Sequence, residues 1–175
     1  FSETWLALRE PWDRLATAPR PLAALIQALA GRAGLRAVDL GAGTGAAIRL
    51  LAPLLPRPQQ WLAVERQPQL VAAGARQLEA QLPEGVTVHW LQADLATSEG
   101  LQQALAGDCD LITASALLDL VSRPWLARLV TLIAERRAVF WSRLTVDGRI
   151  RFAPGDAFDA RLVALLGAHQ RTDKG

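Results

Sequence analysis

Asp39 interrupts the apolar run Ala37-Val38-Asp39-Leu40, and Gly41, Gly43 and Gly45 follow it at every second position. Behind them, Ala46-Ala47-Ile48-Arg49-Leu50-Leu51 reads as the start of a helix. Two further acids close later apolar runs: Glu65 ends Trp61-Leu62-Ala63-Val64, and Asp94 lies just past Val86-Thr87-Val88-His89-Trp90-Leu91. The chemistry these residue types support is the holding of a ligand. Glycine has no Cβ, so the loop can turn sharply and let backbone approach a ligand at a helix N-terminus. A carboxylate is acceptor-only with two oxygens, which suits the two donors of a vicinal diol. Acids at the carboxyl ends of strands stand where open α/β sheets bind their ligands.

Strands and helices alternate around these residues as a doubly wound, mostly parallel sheet requires. Proline at 19 and 21 leads into a helix over residues 22–30, stopped at Gly31. Before it, Glu10-Pro11 is expected to break an apolar segment holding Trp5, Leu6 and Leu8. Strand 37–40 and the glycine turn precede a helix over 46–55, ended by Pro53 and Pro56. Strand 61–64, a helix over 69–82 and strand 86–91 follow, then a short helix over 101–105. Cys109 to Ala114 reads as a fourth strand, with Asp110 serving its start, and residues 124–134 as a helix. Residues 138–141 open a fifth strand, Asp147-Gly148 reads as a hairpin turn before Arg149-Ile150-Arg151-Phe152, and an amphipathic tail covers 156–170.

Asp39 two places before the first glycine, with a third glycine at Gly45, resembles motif I of the class I S-adenosylmethionine-dependent methyltransferases. Glu65, Asp94 and the stretch Asp110 to Ser115 resemble later segments of that family in the expected order, so the resemblance covers about residues 36–141. It implies S-adenosylmethionine as cofactor, with Asp39, Gly41, Gly43 and Gly45 at its amino-acid tail, Glu65 at the ribose and Asp94 at the adenine. Ala42, Arg66 and Leu95 flank these positions, and Ser115 is expected to border the methionine moiety. Residues 1–34 are expected to form a helical cap over residues 35–175. In that cap Trp5, Arg9 and Trp12 can line the pocket, with Arg9 suited to a carboxylate; otherwise the tryptophans pack helix onto sheet. The implied reaction is methyl transfer to a small molecule, for which Asp119 is the weak candidate for a catalytic base. The family's full sheet has seven strands, so a core lacking the last, antiparallel pair is expected.

Two rivals stay open. Gly41, Gly43 and Ala46 also satisfy the dinucleotide fingerprint of an NAD(P)-dependent oxidoreductase. Against that stands the absence of tyrosine, and with it of any Tyr-x-x-x-Lys pair. The other rival is an inactive methyltransferase fold acting as a binding or regulatory protein.

Composition narrows the remaining classes. The hydrophobic fraction of 51% and net charge of +2 suit a globular domain, and the scattered arginines give no basic face for nucleic acid. The Asn/Asp-Pro-Pro-aromatic signature of nucleic-acid amine methyltransferases is missing as well. No apolar run reaches the roughly 20 residues that cross a bilayer. A lone Cys109 excludes an internal disulfide and fits a reducing, cytoplasmic setting. His89 and His169 have no partner at metal spacing, and no metal is expected.

Overall fold

A computed structural model of the chain describes residues 1–145 and 149–172. The described strands are β1 (Leu35–Leu40), β2 (Gln59–Glu65), β3 (Val86–Gln92), β4 (Leu111–Ser115) and β5 (Val139–Arg143). They form one sheet in the order β3-β2-β1-β4-β5, and every neighbouring pair is parallel. Parallel neighbours need a crossover between them, so helices cover both faces. The described helices are α1 (Glu3–Leu15), α2 (Pro19–Leu29), α3 (Ala46–Leu51), α4 (Pro68–Glu79), α5 (Ser98–Ala104), α6 (Arg123–Arg136) and α7 (Asp159–Gln170).

Alternation along the strands builds two cores. Leu35 and Ala37 of β1 join Trp61 and Ala63 of β2 and Leu111 of β4 beneath Leu29, Ile48, Leu51 and Leu78 from α2, α3 and α4. Val38, Leu40, Val64 and Ile112 face the other way, onto Leu101 and Leu105 at α5 and Trp125 and Leu129 of α6. Gln59 is buried in the first core with its amide satisfied: Nε2 donates to the carbonyls of Ala52 and Leu55, and Oε1 accepts from Trp61 Nε1 at 2.8 Å. The strand order reverses between β1 and β4, which opens a crevice at their carboxyl ends.

Several sequence expectations change. Glu10-Pro11 does not break the first segment, since α1 runs through Pro11 from a Ser2 cap. The lost N–H is offset by side-chain bonds across the same turns, Arg9 to Asp13 and Arg14 to Glu10. The helix after the glycine loop ends early at Leu51 and tightens to a 3-10 turn over Ala52–Leu54, as Pro53 dictates. The hairpin expected at Asp147-Gly148 lies outside the described residues, but Arg149 to Phe152 form no strand. Asp110 does serve the start of β4, accepting from the Arg36 N–H at 2.8 Å and pairing with Arg32.

Gly100 fixes the entry to α5. A Cβ there would collide with the backbone carbonyl of Asp94, which cannot swing aside as a side chain would. Gly100→Ala is therefore expected to cost about 3 kcal/mol, as overpacking against fixed backbone does. Urea unfolding checks it, and a loss below about 1 kcal/mol would show that the α5 turn relaxes.

Candidate active site

The crevice holds a cavity of about 340 Å³. Its walls come from the glycine loop, the carboxyl ends of β2, β3, β4 and β5, and the inner face of α1. Of the residues singled out from the sequence, Arg9, Asp39, Gly41, Ala42, Gly43, Glu65, Arg66, Asp94, Leu95 and Ser115 all line it. Gly45 sits one step behind as the N-cap of α3, at φ +84. A Cβ at Gly45 would stand 2.7 Å from Leu78 Cδ1, so the turn there is closed to larger residues. Gly41 and Gly43 are also left-handed, at φ +70 and +57, which presents loop backbone to the cavity.

Asp39 is 1% exposed. Register explains its partner, because Asp39 pairs with Thr113 across β1 and β4 and parallel neighbours point to one face. Thr113 Oγ1 donates to Asp39 Oδ1 at 2.6 Å. Burial pushes the carboxyl up from its ordinary 3.8 to about 6, against the opposing pull of Thr113 and of the Arg143 charge. The site thus holds a carboxylate that titrates near neutrality.

Glu65 ends β2 and uses both oxygens on backbone. Oε2 accepts from Gly43 N–H at 3.0 Å and Oε1 from Gln67 N–H at 2.9 Å, which ties the glycine loop to the start of α4. Asp94 accepts from Ala96 N–H at 3.0 Å, in a turn, and faces Arg66 at 3.6 Å on the rim. It therefore combines the turn role with a place in the cavity wall. Leu95 gives its carbonyl to Trp125 Nε1 at 2.5 Å, which fixes this rim to α6.

Helix α1 roofs the cavity, yet none of its residues is buried. Polar clamps hold it. Arg49, 7% exposed, donates through Nε and Nη2 to Glu10 at 3.0 and 2.5 Å, and through Nη1 to the Thr44 carbonyl at 2.6 Å. Burial pushes Glu10 up, but the bonds and charges of Arg49 and Arg14 outweigh it and hold the carboxyl below its ordinary value. Leu6 lies over the loop, so close that a Cβ on Gly43 would meet its Cδ1 at 3.2 Å. Arg9 lines the cavity, but its Nε and Nη2 are bound by Asp13 at 2.9 and 3.2 Å, so its carboxylate is already supplied. Trp5 and Trp12 do not line the cavity, and they stay 52% and 71% exposed.

At the other end Ser115 closes β4 and Arg143 closes β5. Arg143 Nε donates to Ser115 Oγ at 3.0 Å, and Nη1 to the Asp13 carbonyl and Thr17 Oγ1 at the end of α1. The residues after them, Ala116 and Leu144, both take left-handed backbone, at φ +51 and +58, and both line the cavity. Left-handed non-glycine residues are costly and concentrate where a fold serves a ligand. Sequence reading opened the fifth strand at residues 138–141 without following it to Arg143, the residue that closes it. The rule that found Glu65, a polar residue closing an apolar strand, would have found it.

Asp119 sits on a 3-10 turn (Leu118–Leu120) outside the cavity wall, and its Oδ1 is buried without a hydrogen-bond partner. Leu117 and Leu120 on either side of it line the cavity, but Asp119 itself does not. Cys109 is buried and unpaired, and burial pushes its thiol up, away from nucleophilic use. No cluster of three metal-ligating side chains occurs among the described residues.

Comparisons place this geometry in a family. The model for a methyltransferase domain matches residues 37–136, which is more than half of the chain. Among solved structures, magnesium protoporphyrin IX methyltransferase from Synechocystis PCC 6803, with bound S-adenosylmethionine, is similar at 15% identity and TM-score 0.53, covering 85% of this chain and 67% of that one. Precorrin 8W decarboxylase from Methanobacterium thermoautotrophicum is similar at 18% identity and TM-score 0.50, over 87% and 71%. No curated protein matches the sequence. At these identities the two structures establish the fold, while the domain match, with the glycine loop at its start, establishes the family. The chain belongs to the methyltransferase-domain family, as a class I S-adenosylmethionine-dependent methyltransferase.

Proposed function

We propose that this methyltransferase acts on a small molecule taken into the cavity beneath α1. The supporting observation is the cavity itself: about 340 Å³ and lined at one end by three carboxylates, Asp39, Glu65 and Asp94. Pockets of this size suit small ligands. The residues present fit the cofactor, since its amino group, ribose diol and adenine amine are all donors and these carboxylates are acceptors. A pyrophosphate against the same three acids would be repelled, which argues against a nicotinamide dinucleotide.

In this reading Asp39 and the loop of Gly41, Ala42, Gly43 and Gly45 hold the amino-acid tail. Glu65 takes the ribose and keeps the loop in place, Asp94 takes the adenine, and Arg66 and Leu95 complete that rim. When bound, S-adenosylmethionine supplies a methyl carbon that is already electrophilic. The chain's own work is to align an acceptor and exclude water, and α1 with residues 1–34 forms the cap that does the excluding. No protein nucleophile is needed, and Asp119, outside the wall, is not assigned as base. No described helix is long and apolar enough to cross a membrane. A single cysteine, Cys109, suits a reducing compartment, and a cytoplasmic location is the setting we assign.

The acceptor class is tested by giving the purified protein methyl-labelled S-adenosylmethionine and a cell extract, then separating small molecules from protein and RNA. Label in the small-molecule fraction is expected; label confined to macromolecules would contradict the proposal. Glu65→Ala is expected to weaken S-adenosylhomocysteine binding by about 1–3 kcal/mol through a lost charge-assisted hydrogen bond. Calorimetric titration reads this, and unchanged affinity removes Glu65 from the site.

A further inference from the structure

We infer that the β4–β5 end of the cavity receives an acceptor with an apolar body and a carboxylate, the carboxylate being neutralised by Arg143. The inference rests on the methyl-transfer reading of the same cavity. Along its length the cavity changes character. The end formed by Asp39, Glu65 and Asp94 is acidic, whereas beyond Ser115 the wall is Ala116, Leu117, Leu120, Val121 and Leu144. Arg143, 7% exposed, stands at that apolar end beside the Arg9–Asp13 pair of α1, whose charges answer each other.

A buried charge is costly unless paired. The other buried arginine, Arg49, is answered by Glu10 at 2.5 Å. Arg143 has no such carboxylate within ion-pair reach among the described residues. Its hydrogen-bond partners are neutral: Ser115 Oγ, Thr17 Oγ1 and the carbonyl of Asp13. The carboxylates of Asp13, Asp39 and Glu10 act on it only from a distance, and Asp13 is already spent on Arg9. Those three bonds use Nε and Nη1. Nη2, with two N–H donors, makes no hydrogen bond among the described residues and is not sealed from solvent.

The guanidinium is also held rigidly. It lies over the Trp141 ring at 5.9 Å, and the left-handed turns after Ser115 and Arg143 fix both residues at the cavity edge. A preorganised, desolvated arginine with free N–H groups binds a planar carboxylate well. The surrounding leucines and valine then require that the rest of the molecule be apolar.

The test uses octanoate and octanamide as probes, titrated calorimetrically into the protein saturated with S-adenosylhomocysteine. Octanoate is expected to bind at least tenfold more tightly than octanamide. Arg143→Gln should abolish that preference; because Arg143 also holds Ser115 and its charge favours the ionised form of Asp39, the two probes are compared at saturating S-adenosylhomocysteine, whose binding reports on folding. Equal binding of the two probes, or a preference that survives in Arg143→Gln, overturns the inference. Should Arg143→Gln not fold, arginine side-chain NMR of the native protein decides: octanoate must shift the Arg143 guanidinium signals and octanamide must not. Failure of the native protein to bind S-adenosylhomocysteine at all would instead strike the methyl-transfer reading beneath it.

Discussion

Asp39→Asn is expected to stabilise the ligand-free protein at pH 7 while weakening its hold on S-adenosylhomocysteine. The carboxyl rises from 3.8 to about 6 on folding, driven first by burial. An acid whose folded value lies above its unfolded value favours folding when protonated. Its contribution is complete below 3.8 and is lost as the pH climbs to about 6. The gap corresponds to about 3 kcal/mol, so the native protein should lose up to about that much relative to Asp39→Asn between pH 4 and pH 7. Urea unfolding of both proteins at several pH values reads the difference. Binding should run the other way, because the cationic amino group requires the ionised form. Native affinity for S-adenosylhomocysteine should rise about tenfold from pH 5 to pH 7, and the Asp39→Asn affinity should be flat and about 2 kcal/mol weaker at pH 7. Parallel curves for the two proteins would remove Asp39 from both roles.

Arg49→Met should release α1 from the rest of the protein. With no buried residue of its own, that helix depends on its polar clamps, and Arg49–Glu10 is the most deeply buried of them, with side chains 4% and 17% exposed. Removing one partner of a buried pair leaves the other uncompensated and costs about 3 kcal/mol or more. Glu10 keeps Arg14 as a partner at 3.2 Å, and sheds the rest of that penalty by lifting α1 into water. The loss is therefore expected to be local: amides of α1 should exchange about a hundredfold faster while those of β1 and β4 keep their protection. The double variant Glu10→Gln with Arg49→Met should recover part of the protection, since no charge is then stranded. Unchanged exchange in α1 would show that apolar contacts such as Leu6 on the glycine loop hold the helix by themselves.

How much of this was legible in the sequence follows from how local each signal is. Asp39, the glycine turn and α3 are adjacent in the chain, and strand alternation declares its two faces within a few residues, so the order of strands and helices was readable. Glu65 was found by the rule that residues at the carboxyl ends of strands face the crevice, and Asp94 and Ser115 by resemblance to later motifs of the methyltransferase family. What stayed hidden depends on residues far apart. Thr113 reaches Asp39 through strand register, and Arg49 meets Glu10 across 39 positions. Neither pairing leaves a mark on periodicity or composition. The course of α1 was misread because proline normally ends a helix, whereas here Arg9–Asp13 and Arg14–Glu10 bridge the turns around it. Trp5 and Trp12 were expected either to line the pocket or to pack helix onto sheet, but the α1 residues that line the cavity are Leu6, Arg9 and Asp13.

The central claim is that the acidic end of the cavity holds S-adenosylmethionine in a productive pocket. Calorimetric titration of the purified chain with S-adenosylmethionine, S-adenosylhomocysteine, NAD and NADP tests it most directly. Saturable binding of the first two, with no heat from either dinucleotide, is the predicted result. Binding of a nicotinamide dinucleotide, or silence from both sulfur ligands, would contradict it.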